Sequence, residues 1–148
     1  MDAQVPTESA EQQALFSWAE WASGKYPDLL WMFHIPNGGA RNAVTGARLR
    51  AEGVKRGVPD ICLPTPRGEF SGLYIEMKRR KGGRVSENQS DWIAYLLTQG
   101  YCALECRGSE EAQAVIEGYL APPKPKAFGV SERVARFKKA ISLRRNGA

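Results

Sequence analysis

Three residues in this chain are of types and spacings that could act together: Asp60 in Val58-Pro59-Asp60-Ile61, and Glu76 and Lys78 in Ile75-Glu76-Met77-Lys78. Each carboxylate sits in a short apolar run that reads as a strand. Glu76 and Lys78 are two apart, so on a strand they share a face. Asp60 lies on the preceding run, across a turn-rich connection. Two carboxylates and one ammonium therefore converge at the end of a hairpin. Oxygen ligands of this kind suit a hard divalent cation. Such a cation polarises a phosphate and lowers the pKa of a water, and a lysine beside it orients that water, as phosphodiester hydrolysis requires. The competing reading is a solvated face, the usual fate of a Glu-x-Lys pair. Val58, Ile61 and Leu63 around Asp60, and Leu73, Tyr74, Ile75 and Met77 around Glu76, favour the functional reading. Charges inside such runs are costly unless paired or metal-bound.

The elements that must position these groups follow from periodicity and punctuation. Leu15, Trp18, Ala19 and Ala22 recur at helical spacing and predict a helix from about 8 to 23, stopped by Gly24. Residues 29–35 are apolar apart from His34 and read as a buried strand, and Pro36-Asn37-Gly38-Gly39 reads as a loop. Residues 43–52 form a short helix closed by Gly53, and the strand carrying Asp60 follows. Residues 64–69 turn into a strand over 72–78, which runs on into a basic loop at 79–84. Ser86 and Gln89, three apart, make a capping-box pattern. They open a helix with Trp92, Ile93, Leu96 and Leu97 on its apolar stripe, ended by Gly100. Residues 101–106 are a further strand, and Ser109 is expected to cap a helix reaching Leu120. The order helix, strand, helix, strand, strand, helix, strand, helix predicts an α/β fold with a mixed sheet flanked by helices.

Composition sets the bounds. A chain of 148 residues, 43% hydrophobic and 25% charged, supports one domain with an ordinary core. No apolar run approaches membrane-spanning length. The polar first ten residues do not read as a signal peptide, and an odd set of cysteines, Cys62, Cys102 and Cys106, lacks metal-ligand spacing. Buried, reduced thiols in the cytoplasm are expected. The net charge of +5 is uneven: residues 121–148 hold 8 Lys/Arg against Glu132, or +7, which leaves −2 on residues 1–120. Residues 121–126 read as a Pro-rich linker, followed by a basic amphipathic helix after Ser131 with Val130, Val134, Phe137 and Ile141 as a narrow stripe. That helix can pack on the body, pair with a second subunit or lie along DNA. A basic tail on a near-neutral body suggests a polyanionic partner; a solubilising terminal segment is the alternative.

Five stretches in this order resemble the VRR-NUC family of the PD-(D/E)XK nuclease superfamily. They are Ile35-Pro36-Asn37-Gly38-Gly39-Ala40-Arg41, Gly57-Val58-Pro59-Asp60, Leu73-Tyr74-Ile75-Glu76-Met77-Lys78, Ser86-x-x-Gln89-x-x-Trp92 and Gly100-Tyr101, and they span roughly residues 8–120. The resemblance implies a restriction-endonuclease-like core over 1–120 and DNA cleavage with Mg²⁺ or Mn²⁺. Asp60, Glu76 and Lys78 match the family's Asp, Glu and Lys, and Gln89 matches a glutamine opening the next helix. Glu11 matches an acidic residue of the first helix, with Glu8 a rival one turn away. By the same resemblance Asp60, Glu76 and the Met77 carbonyl bind the metal, and Lys78 orients and helps deprotonate the attacking water. Likeness to the short stand-alone members of phages and bacteria further implies a homodimer acting on branched DNA such as Holliday junctions. A flap or nicking nuclease is one alternative. A non-catalytic nucleic-acid-binding module is another, but docking alone does not need carboxylates beside phosphate.

Contacts to DNA fall to the basic and glycine-rich loops. Asn37, Arg41 and the backbone N–H groups of the Pro-Asn-Gly-Gly loop can approach a phosphate, against the reading as an ordinary turn. Arg79, Arg80, Lys81 and Arg84 leave the catalytic strand directly. Arg48, Arg50, Lys55 and Arg56 make either a second patch or a solvated helix face. His34, the lone histidine, is expected at the rim and not in the core site. Trp18, Trp31 and Trp92 fall on apolar stripes and are expected in the core, not stacked on bases.

Overall fold

Thr7 opens the first helix, α1 (Glu8–Ala22), by accepting the Ala10 N–H on its side-chain oxygen at 3.1 Å. Glu8 and Glu11 fill the first turn, where the helix dipole favours acids. The computed structural model describes residues 4–37 and 42–121, together with Ala135. The stripe Leu15, Ala19 and Ala22 is buried, with Trp18 half-buried against the core. Burying a Leu side chain contributes roughly 1.5–3 kcal/mol, so this stripe fixes how α1 docks.

The run at 29–35 is not one buried strand. Pro27, whose fixed φ and missing N–H suit the first turn of a helix, starts a 3-10 helix over Pro27–Trp31. Only two residues, Phe33–His34, then form β1, an exposed edge strand. Leu29 and Met32 are buried, whereas Leu30 and Phe33 are exposed and Trp31 is 72% exposed. Trp31 is therefore a surface residue and not part of the core.

The remaining elements are α2 (Ala43–Ala51), capped by Asn42, then β2 (Ile61–Leu63), β3 (Leu73–Lys78), α3 (Glu87–Thr98), β4 (Cys102–Arg107) and α4 (Ser109–Leu120). The sheet order is β1-β2-β3-β4. β1 with β2 and β2 with β3 are antiparallel, and β3 with β4 is parallel across the α3 crossover, which gives the mixed sheet the pattern implied. On β3, Leu73, Ile75 and Met77 join the core with residues of α1 and α4. By the alternation of a strand, Glu76 and Lys78 face the other way, toward the start of α3.

Ser109 does not cap α4 with its side chain. It is the first helical residue, and its N–H donates at 2.8 Å to Glu11 Oε2 of α1. The orphan donor of the helix start is thus satisfied from another element. Cys62 and Cys106 are buried free thiols and Cys102 is half-buried. Among the described residues no helix is long and apolar enough to cross a membrane. The expected linker and basic helix over 121–148 lie outside the described residues, apart from Ala121 and Ala135.

Candidate active site

Strand register brings the acids together. Ile61 pairs with Ile75, so Asp60, standing just before β2 and not within it, is level with Glu76 across the open end of the hairpin. Asp60 is held on both sides. Its Oδ2 accepts the Met77 N–H at 2.8 Å. Its carbonyl accepts the Ile35 N–H at 2.7 Å and lies 2.8 Å from His34 Nδ1. His34 thus contacts the backbone of the site and is not among the residues that line the cleft. Burial raises the Asp60 carboxyl above the ordinary carboxylate range, against the pull of the Met77 N–H and of the Lys78 charge.

Glu76 is 2% exposed. Its Oε1 accepts Lys78 Nζ at 2.8 Å and also the Gln89 amide. Its Oε2 is buried with no hydrogen-bond partner. Burial pushes this carboxyl up, the Lys78 hydrogen bond opposes, the Asp60 charge adds to the rise, and the result is about 7. Gln89 is oriented by the helix it opens. Its Oε1 accepts the Ser86 N–H at 2.8 Å while Ser86 Oγ accepts the Gln89 N–H at 3.3 Å, so the capping box turns the amide nitrogen toward Glu76.

These groups line an open cleft of ≈ 370 Å³, whose walls also include Glu8, Asn37, Arg56 and Asn88. Glu8 Oε1 lies 3.9 Å from Lys78 Nζ. Gly57 shapes the wall. Its φ is +83°, and a Cβ there would stand 2.6 Å from the backbone carbonyl of Asn88. Only glycine lets this loop lie against the first turn of α3.

Two expectations change. Glu11, matched to the acid of the first helix, is 2% exposed and has both oxygens engaged, Oε1 by Arg80 Nε at 2.7 Å and Oε2 by Ser109. Burial alone would raise its pKa, but those two partners bring it below the ordinary value. Glu8, not Glu11, faces the cleft. Arg80 is correspondingly drawn to the α1–α4 junction, where it also approaches Glu110 at 3.6 Å, and does not reach the cleft.

The other expected DNA contacts divide. Asn37 lines the cleft, donating to the Val58 carbonyl at 3.2 Å with its Oδ1 buried and unpaired. Arg79, Lys81 and Arg84 are exposed and outside the cleft walls. Arg41 lies outside the described residues. Arg48 pairs with Glu52 on the exposed side of α2, a solvated face. Arg56 is the member of that group in the cleft wall, and Asn88 was missed. Their signal was adjacency: Arg56 precedes the Gly-Val-Pro-Asp stretch, and Asn88 precedes Gln89.

Among the described residues no three His, Cys, Asp or Glu side chains gather as a metal cage. Asp60 and Glu76 with one carbonyl still fit a hard divalent cation that keeps several waters, the habit of Mg²⁺. The Glu76 Oε2 is a buried oxygen without a hydrogen-bond partner, and the Met77 carbonyl shares the strand edge of the N–H that Asp60 holds, since both groups of a strand residue face one neighbour.

A mixed sheet with this Asp, Glu and Lys set at the open end of its hairpin defines a nuclease-type domain. The VRR-NUC domain profile matches residues 7–110, which include every described residue of the cleft, and the chain belongs to that family. A solved structure named as a VRR_NUC domain protein is similar at TM-score 0.68 and 28% identity, over 78% of this chain and 89% of that chain. Comparison with curated proteins gives no match.

Proposed function

We propose that this chain is a divalent-metal-dependent DNA endonuclease that acts as a homodimer on branched DNA such as Holliday junctions. The observation that carries the metal-dependent reading is Glu76, buried beside Asp60 with Oε2 unpartnered. Asp60, Glu76 and the Met77 carbonyl would hold Mg²⁺ or Mn²⁺. When bound, the ion supplies charge against the phosphate oxygens and acidifies a water.

The chain's own groups do the rest. Gln89 and Lys78 fix the Glu76 carboxylate through Oε1 and leave Oε2 unpartnered. Lys78 Nζ, held between Glu76 and Glu8, is set to orient the attacking water and take part in its deprotonation. Asn37, Arg56 and Asn88 offer donors to the phosphate from the cleft walls. Arg79, Lys81 and Arg84 extend that attraction along the flanking backbone. The homodimer and the branched substrate rest on likeness to short stand-alone family members and on symmetry, since a two-fold pair of sites suits the paired strands of a junction. The enzyme works in the cytoplasm, where free thiols stay reduced.

The test is cleavage of four-way junction, flap, duplex and single-stranded DNA in Mg²⁺, Mn²⁺ and EDTA, with light scattering of the same sample. Junction cutting that requires metal and is nearly abolished in Asp60→Ala, Glu76→Ala and Lys78→Ala is expected, at the mass of a dimer. Cutting undiminished in EDTA overturns the metal site. Equal cutting of duplex and junction by a monomer overturns the junction reading.

A further inference from the structure

Beyond the cleft, α3 carries a second feature. Asn88, Asp91, Trp92 and Tyr95 are spaced i, i+3, i+4 and i+7 and so share one helix face. Asn88 belongs to the cleft, while Asp91, Trp92 and Tyr95 line a shallow concavity of ≈ 220 Å³. The two rings meet edge to face, 6.3 Å apart at 89°. Trp92 is only half-buried and Tyr95 is 57% exposed, so this pair is not core, contrary to what the apolar stripe implied for Trp92. The indole N–H donates to the Arg56 carbonyl at 3.0 Å, and Arg56 also walls the cleft. One residue thus joins the two depressions.

Resting on the nuclease reading above, we infer that this concavity receives an unstacked nucleobase of the strand whose phosphate lies in the cleft. The walls offer aromatic faces and edges, with the indole N–H already used, so the site is built for a flat apolar surface. Asp91 at the margin repels phosphate but accepts a hydrogen bond from an exocyclic amine, which favours a base over the backbone. The distance suits this. Four residues of helix from Asn88 to Trp92 rise about 6 Å, a span that a nucleotide neighbouring the cleft phosphate bridges once its base is unstacked. The hydrogen bond to Arg56 pins the indole in advance, so little freedom is lost on stacking. Every base has a face to stack, so the site is tolerant of sequence. It is selective for structure: a base inside a duplex is already stacked and paired, whereas one at a strand crossover or flap is free to enter.

Binding measured in EDTA separates this inference from the cleavage reaction, because it reports whether or not the chain cuts. The full-length protein is titrated by fluorescence anisotropy against a flap, a single-stranded oligonucleotide and a blunt duplex. Tyr95→Ala, at an exposed position, should weaken flap and single-strand binding about tenfold while duplex affinity stays within about twofold. The salt slope should not change, since no phosphate contact is removed. An abasic position walked along the single strand should cost the wild type a similar factor at one place and cost Tyr95→Ala nothing further there. Trp92→Ala should follow Tyr95→Ala if its melting temperature is retained, but Tyr95→Ala is the deciding variant. Equal flap affinity in wild type and Tyr95→Ala, or the same loss on blunt duplex, overturns the inference. It does so even where metal-dependent cleavage is intact.

Discussion

Lys78 binds one oxygen of Glu76 and leaves the other bare: Nζ donates to Oε1 at 2.8 Å, while the buried Oε2 has no partner. The Gln89 amide adds a second donor to the same Oε1. The carboxylate is therefore fixed through one oxygen while the other is buried without a hydrogen bond, which supports the proposal of a metal ligand. The unpartnered oxygen is also a cost to the fold, since a buried charge without full compensation favours its protonated form.

That cost is readable as a pH effect. Glu76 is raised by burial from 4.5 to about 7. Across that interval the folded chain holds a proton that the unfolded chain has released, so this group's contribution to stability falls as pH rises from about 4.5 to about 7. Metal-free wild type should lose up to about 3 kcal/mol relative to Glu76→Gln between the two ends of the window. Urea melts of both proteins at pH 4.5 and 7.5 check it, and parallel pH profiles would contradict it. Mg²⁺ at pH 7.5 should recover part of the loss in the wild type only.

The two acids of α1 should separate in their effects. Glu11→Ala leaves the Ser109 N–H and Arg80 without their partner and should cost roughly 2–4 kcal/mol, with cleavage per folded molecule little changed. Glu8→Gln, at the half-exposed cleft margin, should leave the melting temperature nearly unchanged and slow cleavage about tenfold or more. The reverse pattern in melting and rate measurements would restore Glu11 to the chemistry.

Gly57→Ala combines a left-handed backbone with a collision. The φ of +83° costs an L-residue about 1–2 kcal/mol, and the added methyl would stand 2.6 Å from Asn88 backbone atoms. Gly53→Ala, at φ +99° with open space around it, carries strain without collision. Both should lower stability, but only Gly57→Ala should strongly reduce cleavage, because it moves the wall containing Arg56 and Asp60. Equal residual activity in the two variants would mean that the loop gives way harmlessly.

Deleting residues 122–148 removes 8 Lys/Arg and Glu132, and should weaken DNA binding and flatten its salt dependence. Each lost phosphate contact reduces the slope of log K against log salt by about 0.9 on duplex DNA. Titrations at three salt concentrations measure it. An unchanged slope at full affinity would show that the basic tail is no DNA arm, and monomeric or insoluble protein would assign it to assembly or packing.

What the sequence disclosed was local. Asp60 and the residues at 75–78 are one hairpin apart, so alternation along two strands sufficed to bring them together; the capping box of Ser86 and Gln89 was legible from their spacing, while the place of Gln89 in the site came from the family resemblance. What it hid depends on distant partners. The donor at the start of α4 is taken by a side chain 98 residues earlier, so Ser109 looked like its own cap. Glu8 and Glu11 lie one turn apart on α1, and only the positions of Arg80 and Ser109 decide which of them faces the cleft. The run at 29–35 carries no period, and an edge position leaves half of it in solvent. Trp92 fitted an apolar stripe and read as core, and the loop at Arg56 that holds its indole half-buried at the surface is 36 residues away.

The clasp between Glu11 and Ser109 has a consequence for a chain emerging from a ribosome. By the time α3 is complete at Thr98, the hairpin with Asp60, Glu76 and Lys78 and the glutamine that orients them can already have formed from neighbouring segments. α1, although synthesised before all of them, has only Arg80 to hold its buried carboxylate until the Ser109 N–H, its second partner, has appeared. Glu8 reaches Lys78 only when α1 is docked, so the third cleft acid depends on the packing of that helix in a way the two hairpin acids do not. The helix that is translated first completes its polar anchoring only where α4 begins.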